Sequence, residues 1–297
     1  MRYALTLVAP PDAVFLPESV AAHALAPLGA RLVANHVLGE RALDLAFEAD
    51  EGLTPRLRRA ADEVLRHFPL DWCLQPWTGR KKRLLIADMD STIIGCECLD
   101  ELADFAGVKD QVAAITERAM RGEIEFAPAL RQRVAMITGL PLADLERCYA
   151  ERVRLNPGAR TLARTMAADG ARCVLVSGGF TYFAEKVAEE AGFAAARANW
   201  LEVGDGVLTG KVGEPILGRE AKLVALNEET AALGVGFEDA LAVGDGANDL
   251  AMIEAAGLGV AYRAKPVVAE RADARVDRCD LTAILYFQGY RADEFIT

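Results

Sequence analysis

No stretch of this sequence approaches the roughly eighteen uninterrupted apolar residues of a membrane-crossing helix, so no membrane span is expected. The opening, Met1 to Asp12, has too short an apolar run for a secretory signal and reads better as a strand. Positive charge is in deficit: 33 Lys and Arg stand against 44 Asp and Glu, a net charge of -11. A nucleic-acid binder needs a positive footprint, so that class is disfavoured. A small phosphorylated substrate stays open, because a few local cations and a metal can reverse the potential inside one cleft. There is no GxxxxGK loop closed by Ser or Thr and no strand-linked GxGxxG, so the usual nucleotide readings fail. Of the 6 cysteines, only Cys96 and Cys98 lie close together, with no second Cys or His pair at zinc-finger spacing. They read as free thiols of a cytoplasmic protein.

What is present suits a soluble globular chain: 297 residues, 52% apolar and 26% charged, enough for two domains or one with appendages. Residues 1–76 read as a small unit. Tyr3 to Ala9, Arg31 to His36, Ala42 to Phe47 and Leu70 to Leu74 are strand-like, with helices over Glu18 to Leu28 and from Thr54 to His67. That order, β-α-β-β-α-β, is a ferredoxin-like split βαβ. In topology and size it resembles the ACT-type regulatory domains that bind amino acids, and a docking or dimerisation unit is an equal reading. Residues 75 to 83 have the Pro, Gly and charge of a linker.

From residue 77 to 297 the texture changes. Leu84 to Ala87, Cys173 to Val176 and Ala240 to Val243 are unbroken apolar runs, as in strands buried on both faces of a parallel sheet. About 98 to 155 is helical throughout and reads as an inserted cap of four helices. A second insertion, about 199 to 218, reads as a hairpin turning at Gly204 to Gly206. Leu285 to Gly289 looks like part of a protease tag site, yet it runs on from a plausible element and reads as native.

Each apolar run ends in a polar cluster, and sites in open α/β sheets lie beyond the carboxyl ends of the strands. Asp88-Met89-Asp90-Ser91-Thr92 places two carboxylates one residue apart; such a pair suits a metal-bound nucleophile beside a proton donor. Ser177-Gly178-Gly179 offers a hydroxyl and a backbone free to approach a ligand, with a helix over Phe180 to Gly192 expected to follow. Gly244-Asp245-Gly246-Ala247-Asn248-Asp249 adds a third oxygen ligand for a hard cation, with Asn248 and Asp249 also suited to capping the helix over Leu250 to Ala256. Lys222 lies on a helical stretch that could return to the cleft as a point charge for phosphate. Taken singly, each cluster fits a solvated turn, a cap or a surface lysine.

Together, in this order and with a helical insert after the first, the clusters closely resemble the haloacid dehalogenase superfamily. With Glu97, Glu117 to Gly122, Phe126 and Leu130 to Val134 in the cap, the chain over about residues 83 to 285 is similar to the phosphoserine phosphatase family. The resemblance implies an α/β fold: a Rossmann-like parallel sheet with an inserted helical cap, beside the small N-terminal α+β domain. It implies Asp88 as nucleophile, Asp90 as general acid and base, and Mg2+ held by Asp88, the Asp90 main-chain carbonyl and Asp245, with Asp249 supporting. Ser177, Gly178, Lys222 and Asn248 would surround the phosphoryl group. Glu97 would read the ammonium of O-phospho-L-serine, Arg133 its carboxylate, and Met120 and Phe126 the wall between. The implied activity is release of L-serine and phosphate, the last step of phosphorylated serine biosynthesis. A phosphotransferase with another alcohol acceptor such as homoserine, and a non-catalytic amino-acid sensor, stay open. So do serine binding at the N-terminal unit and a homodimer.

Overall fold

The computed structural model describes residues 1–12, 31–49, 55–120 and 123–297. The first sheet is built from β1 (Arg2–Val8), β2 (Arg31–Gly39), β3 (Ala42–Glu48) and β4 (Asp71–Pro76), with α1 (Pro55–Leu65) before the last strand. Its order is β2-β3-β1-β4, with the contacts antiparallel, as a split βαβ requires. The helix expected over 18 to 28 lies outside the described residues, as does Thr54. Tyr3, Leu5 and Leu7 pack with Leu45, Phe47 and the α1 side chains Ala61 and Leu65 on one face. Val8, Leu38, Ala42 and Cys73 join the apolar core of the rest of the protein.

The connection read as a linker is tied down. Arg80 pairs with buried Asp44 at 2.7 Å, and the Lys82 backbone N–H donates to Gln288 Oε1 at 3.0 Å. Gln75 Nε2 donates to the Phe287 carbonyl at 2.6 Å. Residues 285 to 289 are therefore part of the seam between the two sheets. They continue from α11 (Ala283–Phe287), whose side chains are all buried.

The larger sheet starts with β5 (Leu84–Ala87). The cap follows: α2 (Cys98–Phe105), α3 (Lys109–Met120), α4 (Phe126–Met136) and α5 (Leu142–Arg152). The chain returns through α6 (Ala159–Ala168), β6 (Arg172–Phe180), α7 (Thr181–Ala191) and β7 (Ala195–Asn199). It goes on to the hairpin β8 (Leu201–Gly204) and β9 (Val207–Val212), then α8 (Arg219–Leu233) and β10 (Ala240–Gly244). Last come α9 (Leu250–Ala255), β11 (Leu258–Tyr262), α10 (Pro266–Ala269), β12 (Ala274–Val276) and α11. The sheet order is β12-β11-β10-β5-β6-β7, parallel throughout. β5 and β10 are wholly buried because helices cover both faces: Leu162 and Phe183 pack with the Leu85 side, Leu226 and Met252 with Ile86.

The two insertions meet. Gly139 N–H donates to the Leu208 carbonyl at 2.8 Å, and Leu142 N–H to Gly206 at 3.1 Å, so the hairpin is docked on the cap. Among the described residues no helix is long and apolar enough to cross a membrane.

One glycine is held to a single choice. Gly158, with φ +83, opens α6 against the turn at Leu281 and Thr282; a Cβ there would stand 2.7 Å from the Thr282 nitrogen. We expect Gly158→Ala to lower stability by about 2 kcal/mol or more in urea unfolding, from backbone strain and the clash together. A loss below about 0.5 kcal/mol, the scatter of ordinary surface changes, would show that the turn yields freely.

Candidate active site

The three polar clusters converge because β10, β5 and β6 are neighbours: Ala87 lies opposite Val243 on one side and Leu175 on the other. Asp88 continues β5 in extended conformation, and its N–H donates to the Val243 carbonyl at 3.0 Å. The chain then turns sharply. Ile94 N–H returns to the Met89 carbonyl at 3.0 Å, and Ser91 takes φ +58, a left-handed conformation rare outside glycine. Simple alternation along a strand does not describe this segment; the turn brings Asp90 back toward the sheet. Its carboxylate accepts from Cys98 N–H at 2.9 Å, the first residue of α2, and from Ser177 Oγ at 3.1 Å.

Lys222, on α8, is 2% exposed and lies between two carboxylates: 2.7 Å from Asp88 Oδ1 and bonded to Asp249 Oδ1. Burial alone would lower its pKa, but Asp88 and Asp249 outweigh burial and raise it, so the ammonium is retained. Asp88 is pushed well above the usual carboxylate range by burial and by the Asp249 charge, with Lys222 opposing. Burial likewise raises Asp90, against the donors Cys98 and Ser177. Burial and the Asp249 charge raise Asp245. Asp249 is consumed internally: its second oxygen accepts from the Asp245 and Gly246 N–H groups at 3.2 and 3.0 Å.

Oxygens of Asp88, Asp245 and Asp249 lie within 4.8 Å of one another. Three carboxylates facing one lysine leave an uncompensated negative charge. The donor set, hard oxygens only, fits a divalent cation of the Mg2+ kind.

The Ser-Gly-Gly cluster is part of β6, which runs to Phe180, and α7 starts at Thr181 with Phe180 as its N-cap. Ser177 is therefore not a helix cap; its Oγ accepts from Gly179 N–H at 2.8 Å. The pairing of β6 with β7 slips between Val176 and Phe180, so residues 177 to 179 bulge out of the ladder toward the cleft. A Cβ on Gly179 would meet Asp90 Oδ2 at 2.8 Å, which accounts for glycine there. Asn248 is exposed on the short turn Ala247–Asp249, with its Oδ1 close over Gly246.

From the cap, Glu97 precedes α2 and accepts from Ser91 Oγ at 2.6 Å. Its outer surface meets solvent, but desolvation over the crowded cleft and the nearby Asp90 charge raise its pKa from 4.5 to about 7. Arg133, half-buried on α4, donates to Thr116 Oγ1 at 3.3 Å and lies near enough for the Asp100 and Glu97 charges to act on it. Burial lowers its pKa. Phe126 spans the gap: its ring would lie 3.2 Å from a Cβ on Gly178 and 3.3 Å from one on Gly218. Met120 closes α3, and its side chain lies outside the described set.

The sequence model of the haloacid dehalogenase-like hydrolases matches residues 85–254, more than half of the chain. Over 244 residues the chain is 42% identical to the phosphoserine phosphatase of Archaeoglobus fulgidus, covering 82% of this chain and 70% of that protein. The chain belongs to the phosphoserine phosphatase family of haloacid dehalogenase-like hydrolases. The crystal structure of a HAD family hydrolase from Salmonella enterica serovar Typhi is similar at TM-score 0.86 and 30% identity, over 96% of this chain and 98% of that one. That likeness takes in the small N-terminal sheet. A solved phospho-aspartyl intermediate analogue of phosphoserine phosphatase matches at TM-score 0.65 and 39% identity, over 70% of this chain and 99% of its own.

In this family member two contributors went unassigned in the sequence. Thr92, fully buried, donates from Oγ1 to Asp245 Oδ1 at 3.1 Å. Its place two residues past Asp90 was the available signal. Asn199, also buried, donates to the Gly178 and Leu217 carbonyls at 2.9 and 3.2 Å and accepts from Leu217 N–H at 2.7 Å. Nothing local marks it, because its partners are distant in sequence.

With EDTA present, Lys222→Met should cost about 3 kcal/mol or more in urea unfolding, since it leaves two buried carboxylates without their cation. A loss under about 1 kcal/mol would mean that they neutralise themselves by taking up protons. Glu97 gives a pH test of opposite character. Its folded pKa of about 7 lies above the ordinary 4.5, so between these values the folded chain holds the extra proton. Its contribution is complete below the lower value and is lost as pH rises toward the upper one. In EDTA, wild type should lose stability across that window relative to Glu97→Gln; parallel curves would contradict the shift.

Proposed function

We propose that this chain hydrolyses O-phospho-L-serine to L-serine and phosphate through an aspartyl-phosphate on Asp88. The observation that carries it is the single centre in which Lys222 holds Asp88 while Asp90 stands beside it between Cys98 N–H and Ser177. Asp88 attacks phosphorus, and the phosphoryl group leaves the seryl oxygen. Asp90, whose raised pKa lets it carry a proton, protonates that oxygen. It then takes a proton from the water that attacks the aspartyl-phosphate, so one group serves as acid and base in turn. Lys222, Ser177, the Gly178 backbone and Asn248 surround the phosphoryl oxygens and offset their charge. Asp88, Asp245 and the main-chain carbonyl of Asp90, with Asp249 in support, would hold Mg2+, which would supply charge neutralisation at the transferring group.

Substrate choice rests on the cap. Glu97 in its ionised form pairs with the ammonium, and the planar guanidinium of Arg133 takes the carboxylate. Phe126, closing over Gly178 and Gly218, excludes water from the reacting centre. All six cysteines are free, in keeping with a cytoplasmic enzyme. Residues 1–76 are assigned a regulatory or docking role.

The test is phosphate release from O-phospho-L-serine with and without Mg2+, beside phosphothreonine, phosphotyrosine and sugar phosphates. Release should need Mg2+, favour phosphoserine and vanish in Asp88→Asn. Glu97→Gln and Arg133→Ala should each raise KM about tenfold or more, with a smaller change in kcat. Turnover of other phosphates without phosphoserine would discard the Glu97 and Arg133 roles. A folded chain inactive on all of them would discard the hydrolase reading.

A further inference from the structure

The cap joins the core through two chain segments that run side by side. Ile94 and Leu155 form an antiparallel bridge, and Gly95 N–H donates to the Arg154 carbonyl at 3.2 Å. Asn156 closes the pair from the return side. Its N–H donates to the Ile93 carbonyl and its Nδ2 to the Thr92 carbonyl, both at 2.8 Å. Thr92 is the residue whose hydroxyl holds Asp245. This hinge therefore bears directly on the cleft: Thr92 lies on one side of it and Glu97 on the other.

Immediately after Asn156, the Pro157 carbonyl accepts from Leu281 N–H at 3.0 Å, and Gly158 presses against the backbone of Leu281 and Thr282. That turn is in turn held from the N-terminal domain. Arg41, on the tight connection between β2 and β3, donates from Nη2 to Thr282 Oγ1 at 2.9 Å and reaches Asp280 at 3.3 Å. Asp280 Oδ1 also accepts from Thr282 N–H at 2.9 Å, so the guanidinium grips a turn that is already internally bonded. Arg41 is anchored at its own backbone, where its carbonyl accepts from Ala9 N–H at 2.9 Å. An unbroken series of contacts thus runs from the first sheet to the cap hinge and on to Asp245.

We propose that Arg41 is a positioning residue through which the N-terminal domain splints the hinge of the cap. The domain holds the 280–282 turn, the turn holds residues 157 and 158, and Asn156 holds the segment that carries Thr92 and leads to Glu97. Freed from Arg41, the hinge opens more often, and the cap binds substrate less well while the reacting groups keep their chemistry. Coupling through this contact is distinguished from domain docking in general by a second residue of the seam.

Arg58 supplies the control. It also crosses the seam, to Asp273, and among the described residues forms no hydrogen bond or ion pair with the 280–282 turn. Amide hydrogen exchange of the full chain, read by NMR, would compare wild type, Arg41→Ala and Arg58→Ala. Arg41→Ala should speed exchange at Leu281, Asn156 and Gly95 about tenfold, and Arg58→Ala should leave these amides unchanged. KM for O-phospho-L-serine should rise in Arg41→Ala, with kcat within about twofold of wild type. Unchanged exchange at Asn156 and Gly95 would overturn the proposal. Equal acceleration by both variants would also overturn it, because the effect would then be loose docking. Faster exchange with unchanged KM would do so too, since the hinge would not govern binding. If Arg41→Ala does not fold, Arg41→Met keeps the aliphatic stem, removes the guanidinium and is read the same way. Only the kinetic arm rests on the phosphoserine reading. Wild type that fails to turn over phosphoserine removes that reading and leaves the exchange result to decide this one.

Discussion

Lys222 is buried between Asp88 and Asp249, and the surrounding structure is organised around the charge that remains. One ammonium cannot balance Asp88, Asp90, Asp245 and Asp249. Burial magnifies the imbalance, which is why Asp88, Asp90 and Asp245 are raised above their ordinary range. The chain offsets what it can with fixed dipoles. Cys98 N–H and Ser177 serve Asp90, Thr92 serves Asp245, and the Asp245 and Gly246 N–H groups serve Asp249. What is left over is a negative charge that a bound divalent cation would balance, within a chain of net charge -11.

Holding that centre requires backbone conformations that ordinary sheet geometry does not supply. Ser91 turns left-handed directly after Asp90, and residues 177 to 179 leave the β6 ladder. Both departures occur at the carboxyl ends of adjacent parallel strands, where a rigid, fully buried sheet supports them from beneath. The cap and the hairpin then close the cleft from above, docked on each other through Gly139 and Leu142. Phe126 reaches both the bulge and the approach to α8. Cap position and the shape of the cleft at residues 177 to 179 are thereby mechanically related.

Much of this was legible in the residues. The apolar runs 84 to 87, 173 to 176 and 240 to 243 are strands, and the four cap helices lie near their expected places, because burial on two faces and a 3.6-residue period both leave local signatures. The four strands of the first unit and the helix before the last of them were legible for the same reason. The Ser177 cluster was only half legible. Its glycines declared close approach, but the choice between helix cap and strand bulge depends on what β7 offers opposite, which lies about twenty residues away. The apparent linker was misleading in a related way: Arg80 and Lys82 look like solvated charge until Asp44 is brought to the one and the Glu238 carbonyl to the other.

The sequence by itself determined the chemical inventory. Two aspartates flank Met89, a serine and two glycines follow one apolar run, and an aspartate-rich turn follows another. Local chain statistics place each at a strand end, and the strands are long enough in apolar residues to be buried. Which groups meet was decided by the tertiary structure alone. Asn199 reaching Gly178, Thr92 reaching Asp245, and Arg41 reaching across to Thr282 each join residues far apart along the chain. A short polar side chain gives no local sign of its partner, because its hydrogen bond has value only after burial has removed the competing water.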